Sequence, residues 1–266
     1  MTRVPTETDF AGLAPDLTVA LHYPEPPAST TAILLLFHGL GDAERPFADF
    51  ARAMNLPGVL AVAVRGTSVV PPSLVSGGGG GDADLDLGRG PQHFHWGDDL
   101  ALRGGPDGDD LDDDPGFDQA VRAVDGRLIR DVLVGRCGWR RSDMLLFGFG
   151  QGGTFALALA ARTAAGATAT GTTTTTKNNS NAPALPAAVT MGMTSAAPRL
   201  ATPLLVCGAA GGDAVSAETA ALLRERFASV QLVRWRRARD DDNGMPRNRD
   251  EFLPIMQFLA ARLSTW

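Results

Sequence analysis

The run Gly148-Phe149-Gly150-Gln151-Gly152-Gly153 sits directly behind an apolar stretch, Met144 to Phe147, and directly ahead of an Ala/Leu-rich one, Thr154 to Arg162. That is the pattern of a strand, a tight turn and a helix, and a serine at the centre of such a turn is an exposed nucleophile. Here the centre is Gly150, which has no side chain to attack with. The central residue of such a turn is forced into a backbone conformation that costs about 1 to 3 kcal/mol for a residue with a Cβ. Glycine largely avoids that cost. A hydroxyl also needs a base to activate it, and histidine is the usual one near neutral pH. The chain has four histidines, His22, His38, His93 and His95. None follows Asp213.

Other residues could support different chemistry. His93 and His95 lie two apart, so in an extended segment both rings share a face, with Asp98 and Asp99 near enough to complete a metal site. Packing and hydrogen bonding beside a pocket is the favoured reading of this pair, and no metal is expected. The acidic run Asp107 to Asp114 lacks the Gly/Asp spacing of a calcium loop and reads as a solvated stretch. Cys207 ends an apolar run with no base beside it, so an inert buried thiol is expected. Thr154 falls one turn into a helix and is assigned to packing, which leaves Ser195 as one further available hydroxyl.

The elements that must position these residues alternate along the chain. Thr31 to Phe37 and Val59 to Val64 are short, wholly apolar runs of the kind found in buried parallel strands. A helix is expected over Phe47 to Met54 and another over Phe117 to Val134, where apolar residues recur at helical spacing. Residues 73–116 read as one long Gly/Asp-rich loop, and 164–184, with Thr172 to Thr176 inside it, as a disordered polar insertion. Strands are expected at Val189 to Met193, Pro203 to Cys207 and Val230 to Trp235, and helices at Ala217 to Phe227 and Glu251 to Leu263. Strands alternating with helices imply an α/β fold whose mostly parallel sheet is covered on both faces.

Composition removes several function classes. At 266 residues with 44% apolar content, a single domain spanning 1–266 with one sizeable core is expected. A net charge of -6 offers no basic footprint for nucleic acid. No apolar run reaches the roughly 20 residues of a membrane-spanning helix. Two distant cysteines and no leader pattern over Met1 to Phe10 point to a reducing compartment, hence a cytoplasmic location.

Two segments carry a specific resemblance. Phe37-His38-Gly39-Leu40-Gly41-Asp42 and Gly148-Phe149-Gly150-Gln151-Gly152-Gly153 resemble the two signatures of the acyl-protein thioesterase and phospholipase/carboxylesterase family of α/β-hydrolases, in the right order and at the right separation. Weaker similarities follow at Trp96 to Asp98, at Leu204 to Cys207 with Asp213 behind it, and at Glu251 to Leu259. The resemblance implies an α/β-hydrolase fold. It also implies that Gly150 holds the nucleophile position, Asp213 the acid position, and the amides of Leu40 and Gln151 the oxyanion hole, with His38 and Trp96 beside the pocket. The family's histidine would fall within Asn243 to Arg247, at or beside Met245, where no side chain can act as a base.

Three readings follow. The first is a family member without catalysis that keeps a pocket for a small acyl-type ligand or a protein partner, using no cofactor. The second is an active ester or thioester hydrolase with a relocated nucleophile, or with His93 or His95 as base. In the third, the pocket has filled in and only the fold remains.

Overall fold

The computed structural model describes residues 2–70, 92–98, 102–105, 108–111, 116–165, 199–210, 212–237 and 244–264. The described chain divides into two compact units, Met1–Ala156 and Leu157–Trp266.

The first unit is built on a four-stranded sheet. Its strands are β1 (Val19–His22), β2 (Ala32–Phe37), β3 (Val59–Val64) and β8 (Met144–Gly148), in the spatial order β1-β3-β2-β8. β2 and β3 are buried at every residue, which is what the unbroken runs AILLLF and VLAVAV require of strands covered on both faces. β2 runs parallel to both β3 and β8, and β1 closes the edge antiparallel to β3. The register pairs Phe37 with Val64 on one side and with Gly148 on the other. Consequently His38, Arg65 and Phe149 leave the sheet at one level, along the carboxyl ends of three parallel strands. In open α/β sheets ligands gather at that edge.

Helix α1 (Glu44–Met54) follows β2, buries Phe47, Ala48, Ala51 and Met54, and stops at Asn55 in the left-handed conformation. It starts a turn earlier than its apolar face suggests, because Pro46 is tolerated in a first turn, where amides lack partners anyway. Helix α2 opens over Asp118–Val121 and continues with i→i+5 spacing over Arg122–Arg136.

Within residues 73–116, read as one long loop, short strands form, and the first of them pairs with a strand just ahead of that span. β4 (Ser68–Val69) pairs antiparallel with β5 (Phe94–His95), and β6 (Leu102–Gly105) with β7 (Gly108–Leu111). The β6/β7 ribbon carries no alternation of apolar residues; its strands are joined across a two-residue connection, a link short enough to fix pairing locally.

Aromatic packing fixes the segment after β5 to the sheet. Trp96 stacks on Phe155 at 4.4 Å and meets Phe37 edge-on at 5.3 Å, while Phe155 also meets Phe37 edge-on at 4.9 Å. Phe155 belongs to α3 (Gln151–Ala165).

The second unit holds a parallel pair, β9 (Leu204–Ala209) beside β10 (Val230–Trp235), with α4 (Ala217–Arg226) between them and α5 (Arg249–Leu263) after them. Ala161, Leu200, Leu223 and Phe227 form its buried cluster. Side chains of Ser216 and Asn248 cap α4 and α5 by accepting from the amides of Thr219 and Glu251. The insertion at 164–184 and the strand expected at Val189 to Met193 fall outside the described residues, apart from the last residues of α3. Among the described residues no helix is long and apolar enough to cross a membrane.

Candidate active site

The turn between β8 and α3 is closed by short backbone bonds: Phe149 N-H to Phe37 O at 3.1 Å, and Gly153 N-H to Gly150 O at 2.9 Å. Its three alternate glycines serve different purposes. A Cβ on Gly148 would lie 2.2 Å from the carbonyl oxygen of Gly152, and one on Gly152 would lie 2.3 Å from those of both Phe37 and His38. Strand, turn and helix approach so closely that neither position has room for a side chain. Gly150 is the opposite case: it is exposed, its φ is +52°, and a Cβ there would meet nothing nearer than the Gly39 Cα at 3.8 Å. The centre of the turn thus combines a left-handed backbone, which favours glycine, with open space in front of it.

Facing this turn is the loop His38 to Asp42, with Gly41 at φ +81°. Its conformation is set mainly by His38, which is fully buried. The ring Nε2 accepts from the Gly66 amide at 2.8 Å, so Nδ1 carries the proton and donates to Gly39 O at 2.7 Å. Burial pushes the imidazole below its ordinary pKa, keeping it neutral. Both nitrogens are committed, so His38 has no lone pair left to take a proton from a nucleophile.

Residues 93–96 then hold loop and helix together. Gly41 N-H donates to Phe94 O at 2.9 Å, Phe94 N-H donates to Asp42 O at 3.2 Å, and His93 Nδ1 lies 2.6 Å from Gly41 O. Two residues further on, Trp96 N-H donates to the side-chain Oε1 of Gln151 at 2.9 Å, and Trp96 Nε1-H donates to His38 O at 2.8 Å. Trp96, like His38, is fully buried. These two residues brace the loop from beneath and present no surface to a ligand, unlike Leu40, which is 39% exposed. Among the described residues the amides of Leu40 and Gln151 donate to no backbone carbonyl. They are therefore free to serve as donors.

The remaining candidates are placed as follows. His95 is buried in the β4/β5 ribbon, where burial lowers its pKa, and among the described residues its Nδ1 has no hydrogen-bond partner. His22 lies on β1, and burial lowers its pKa as well. Asp98 accepts from the amides of Asp118 and Gln119 at 2.6 and 2.7 Å, so its carboxylate caps α2. Among the described residues no three His, Cys, Asp or Glu side chains are grouped to hold a metal ion. Asp99 falls outside them.

In the second unit, Asp213 opens a single 3₁₀ turn, Asp213–Val215, behind β9. Burial pushes the Cys207 thiol up to about 12, which leaves no thiolate near neutral pH. Met245 is half-buried, and its carbonyl accepts from Arg237 Nη2 at 2.8 Å, as Gly244 O does from Nη1 at 3.0 Å. Arg237 also forms a two-pronged ion pair with Glu251, at 3.0 and 2.7 Å, and lies over the Trp235 ring at 4.4 Å. Glu251 completes the clamp by accepting from the Arg247 amide at 2.8 Å. The hydrogen bonds from Arg237 hold its carboxyl below the usual range. Sequence reasoning missed this pair, although Asn248-Arg249-Asp250-Glu251 has the spacing of a helix-capping motif that would have placed Glu251 at a helix start. No local signal marks Arg237.

No family model matches the sequence, and no curated protein matches it. Solved structures do. The chain is similar to the carboxylesterase of Bacillus cereus at 14% identity, over 97% of this chain and 100% of that one, with a TM-score of 0.55. It is similar to Zea mays acyl-protein thioesterase 2 at 19% identity, over 92% and 99%, with a TM-score of 0.53. Est1E from Butyrivibrio proteoclasticus, solved with ferulic acid bound, matches at 14% identity over 93% and 96%, with a TM-score of 0.52. At these identities the likeness is one of backbone: the chain has the α/β-hydrolase fold.

Proposed function

We propose that this chain is a degenerate relative of the carboxylesterases and acyl-protein thioesterases that binds through the former active-site face and does not hydrolyse esters. The observation that carries the reading is the elbow itself. Gly150 keeps the backbone conformation and the open space of a nucleophile position but offers no nucleophile. His38, the histidine that opens the facing loop, has both ring nitrogens engaged. By the resemblance, Met245 stands where the base would be and Asp213 where the acid would be. What such a site retains without nucleophile and base is roughly 10³ to 10⁴-fold over water, from oriented donors and binding. The amides of Leu40 and Gln151 are those donors. They suit a ligand carrying a carbonyl or carboxylate oxygen, hence a small acyl-type molecule or an acylated partner.

The same reading takes 1–266 as one hydrolase domain working without a cofactor in a reducing, cytoplasmic setting, which the two free cysteines support. An active hydrolase with a relocated base is the second reading. It is favoured by His93, whose ring lies against the Gly41 carbonyl. Turnover of short p-nitrophenyl esters by the purified protein, with labelling by a serine-directed fluorophosphonate, separates the two. The proposal expects no labelling and at most slow residual turnover; robust turnover that Gly150→Ala leaves unchanged would contradict it. Turnover that His93→Ala abolishes would establish the second reading instead.

A further inference from the structure

We propose that Gln151 contributes through its side chain as well as its amide: it is a positioning residue that locks the two donor amides into one rigid unit. The inference rests on the reading of Leu40 and Gln151 as the donors of the site. The segment His93–Trp96 forms a strap. One end grips the loop that carries Leu40, through Gly41 N-H to Phe94 O, Phe94 N-H to Asp42 O and His93 Nδ1 to Gly41 O. The other end grips the first residue of α3, through Trp96 N-H to Gln151 Oε1 at 2.9 Å. Trp96 Nε1-H ties the middle of the strap to His38 O at 2.8 Å.

Without the Gln151 side chain, the start of α3 and the Leu40 loop would still each be folded. The strap would then meet α3 only through the stack of Trp96 on Phe155, with no hydrogen bond fixing the first residue of the helix. Donors held in fixed positions stabilise a developing or bound negative charge far better than mobile ones, because nothing has to reorganise when the charge arrives. The bond from Trp96 to Gln151 therefore bears on the electrostatics in front of Gly150 as well as on the stability of the fold.

A thiol placed at the elbow reads this directly. Gly150→Cys puts sulfur into a space where the nearest atom to the new Cβ is 3.8 Å away. A thiol at a helix N-terminus facing oriented amides ionises more readily than a free one. Alkylation by iodoacetamide is measured against pH, with the unsubstituted protein as the blank. The blank is slow because burial raises the thiol pKa of both Cys137 and Cys207.

Gly150→Cys is expected to react about five- to tenfold faster than a free cysteine at pH 7. Adding Gln151→Met, which keeps the shape and removes the acceptor, should slow it about threefold at pH 7 and move its pH profile upward, while the protein stays folded with a melting temperature lowered by the unpaired Trp96 amide. His93→Leu cuts the strap at its other end and should act in the same direction, and it carries the test if Gln151→Met does not fold. A fast thiol whose profile neither substitution moves would overturn the strap while leaving the donor reading intact. A thiol at position 150 reacting at the free-cysteine rate would overturn both.

Discussion

The elbow at Gly148 to Gly153 and the segment Gly244 to Asn248 are held by different means. In the elbow the restraint is steric: the outer glycines lie within contact distance of backbone oxygens, and the turn is closed by main-chain bonds. In the second segment the restraint is electrostatic, since a buried arginine grips two consecutive carbonyls and is itself held by a buried glutamate. Neither restraint depends on a side chain at 150 or 245: a side chain at Gly150 would have room, and Met245 is held by its carbonyl. Backbone geometry can therefore persist in both places while these residues change freely, which on the proposed reading is how the fold keeps its architecture without a nucleophile and base.

The sharpest way to break the comparison is to remove each restraint in turn. Glu251→Ala takes the two-pronged carboxylate away from the buried Arg237 side chain and is expected to cost about 3 kcal/mol in urea unfolding, the largest effect among these substitutions. Gly152→Ala should cost about 2 to 3 kcal/mol, because the new methyl meets two carbonyl oxygens that belong to the backbone and cannot move aside. Gly150→Ala, a chemically identical change two residues away, should cost only about 1 to 2 kcal/mol, the cost of a Cβ in the left-handed region. Equal losses at 150 and 152 would remove the distinction between a locked and an open position.

The electrostatic restraint also predicts a pH dependence that the steric one lacks. The folded protein holds the Glu251 carboxyl below its ordinary value through the hydrogen bonds from Arg237. A carboxylate with a lowered folded pKa contributes stability above its unfolded pKa and loses it as pH falls through the folded one. The difference in unfolding free energy between the unsubstituted protein and Glu251→Gln should thus be full near pH 7 and shrink below the ordinary carboxylate range. The difference for Gly152→Ala should stay flat over the same interval.

How much of this was legible in the residues follows from the range of each interaction. β3 is readable at both ends because an unbroken apolar run of six residues bounded by turn residues needs no partner to be recognised, and β10 because β-branched, aliphatic and aromatic residues carry its run past Gln231 and Arg234. β1 is a four-residue edge strand, and β4 and β5 are two-residue strands whose pairing joins segments separated by residues 71–91; no local pattern marks any of them. The start of α3 is displaced for a physical reason. Gly152 and Gly153 are poor helix formers, so propensity puts the start at Thr154, yet they form the first turn because Gly152 has to pass so close to β2. The strand, turn and helix around Gly150 were readable from local pattern, whereas the engagement of both His38 nitrogens and the clamp at Arg237 depend on long-range contacts.

The central claim is that the fold retains the elbow and its donors but has neither nucleophile nor base. Its most direct test is the hydrolysis of a short p-nitrophenyl ester by Gly150→Ser. A serine alone, with no histidine available to activate it, should leave the rate within about tenfold of the unsubstituted protein. A gain above about 10³-fold from that single substitution would mean that a base already serves position 150, and would contradict the account.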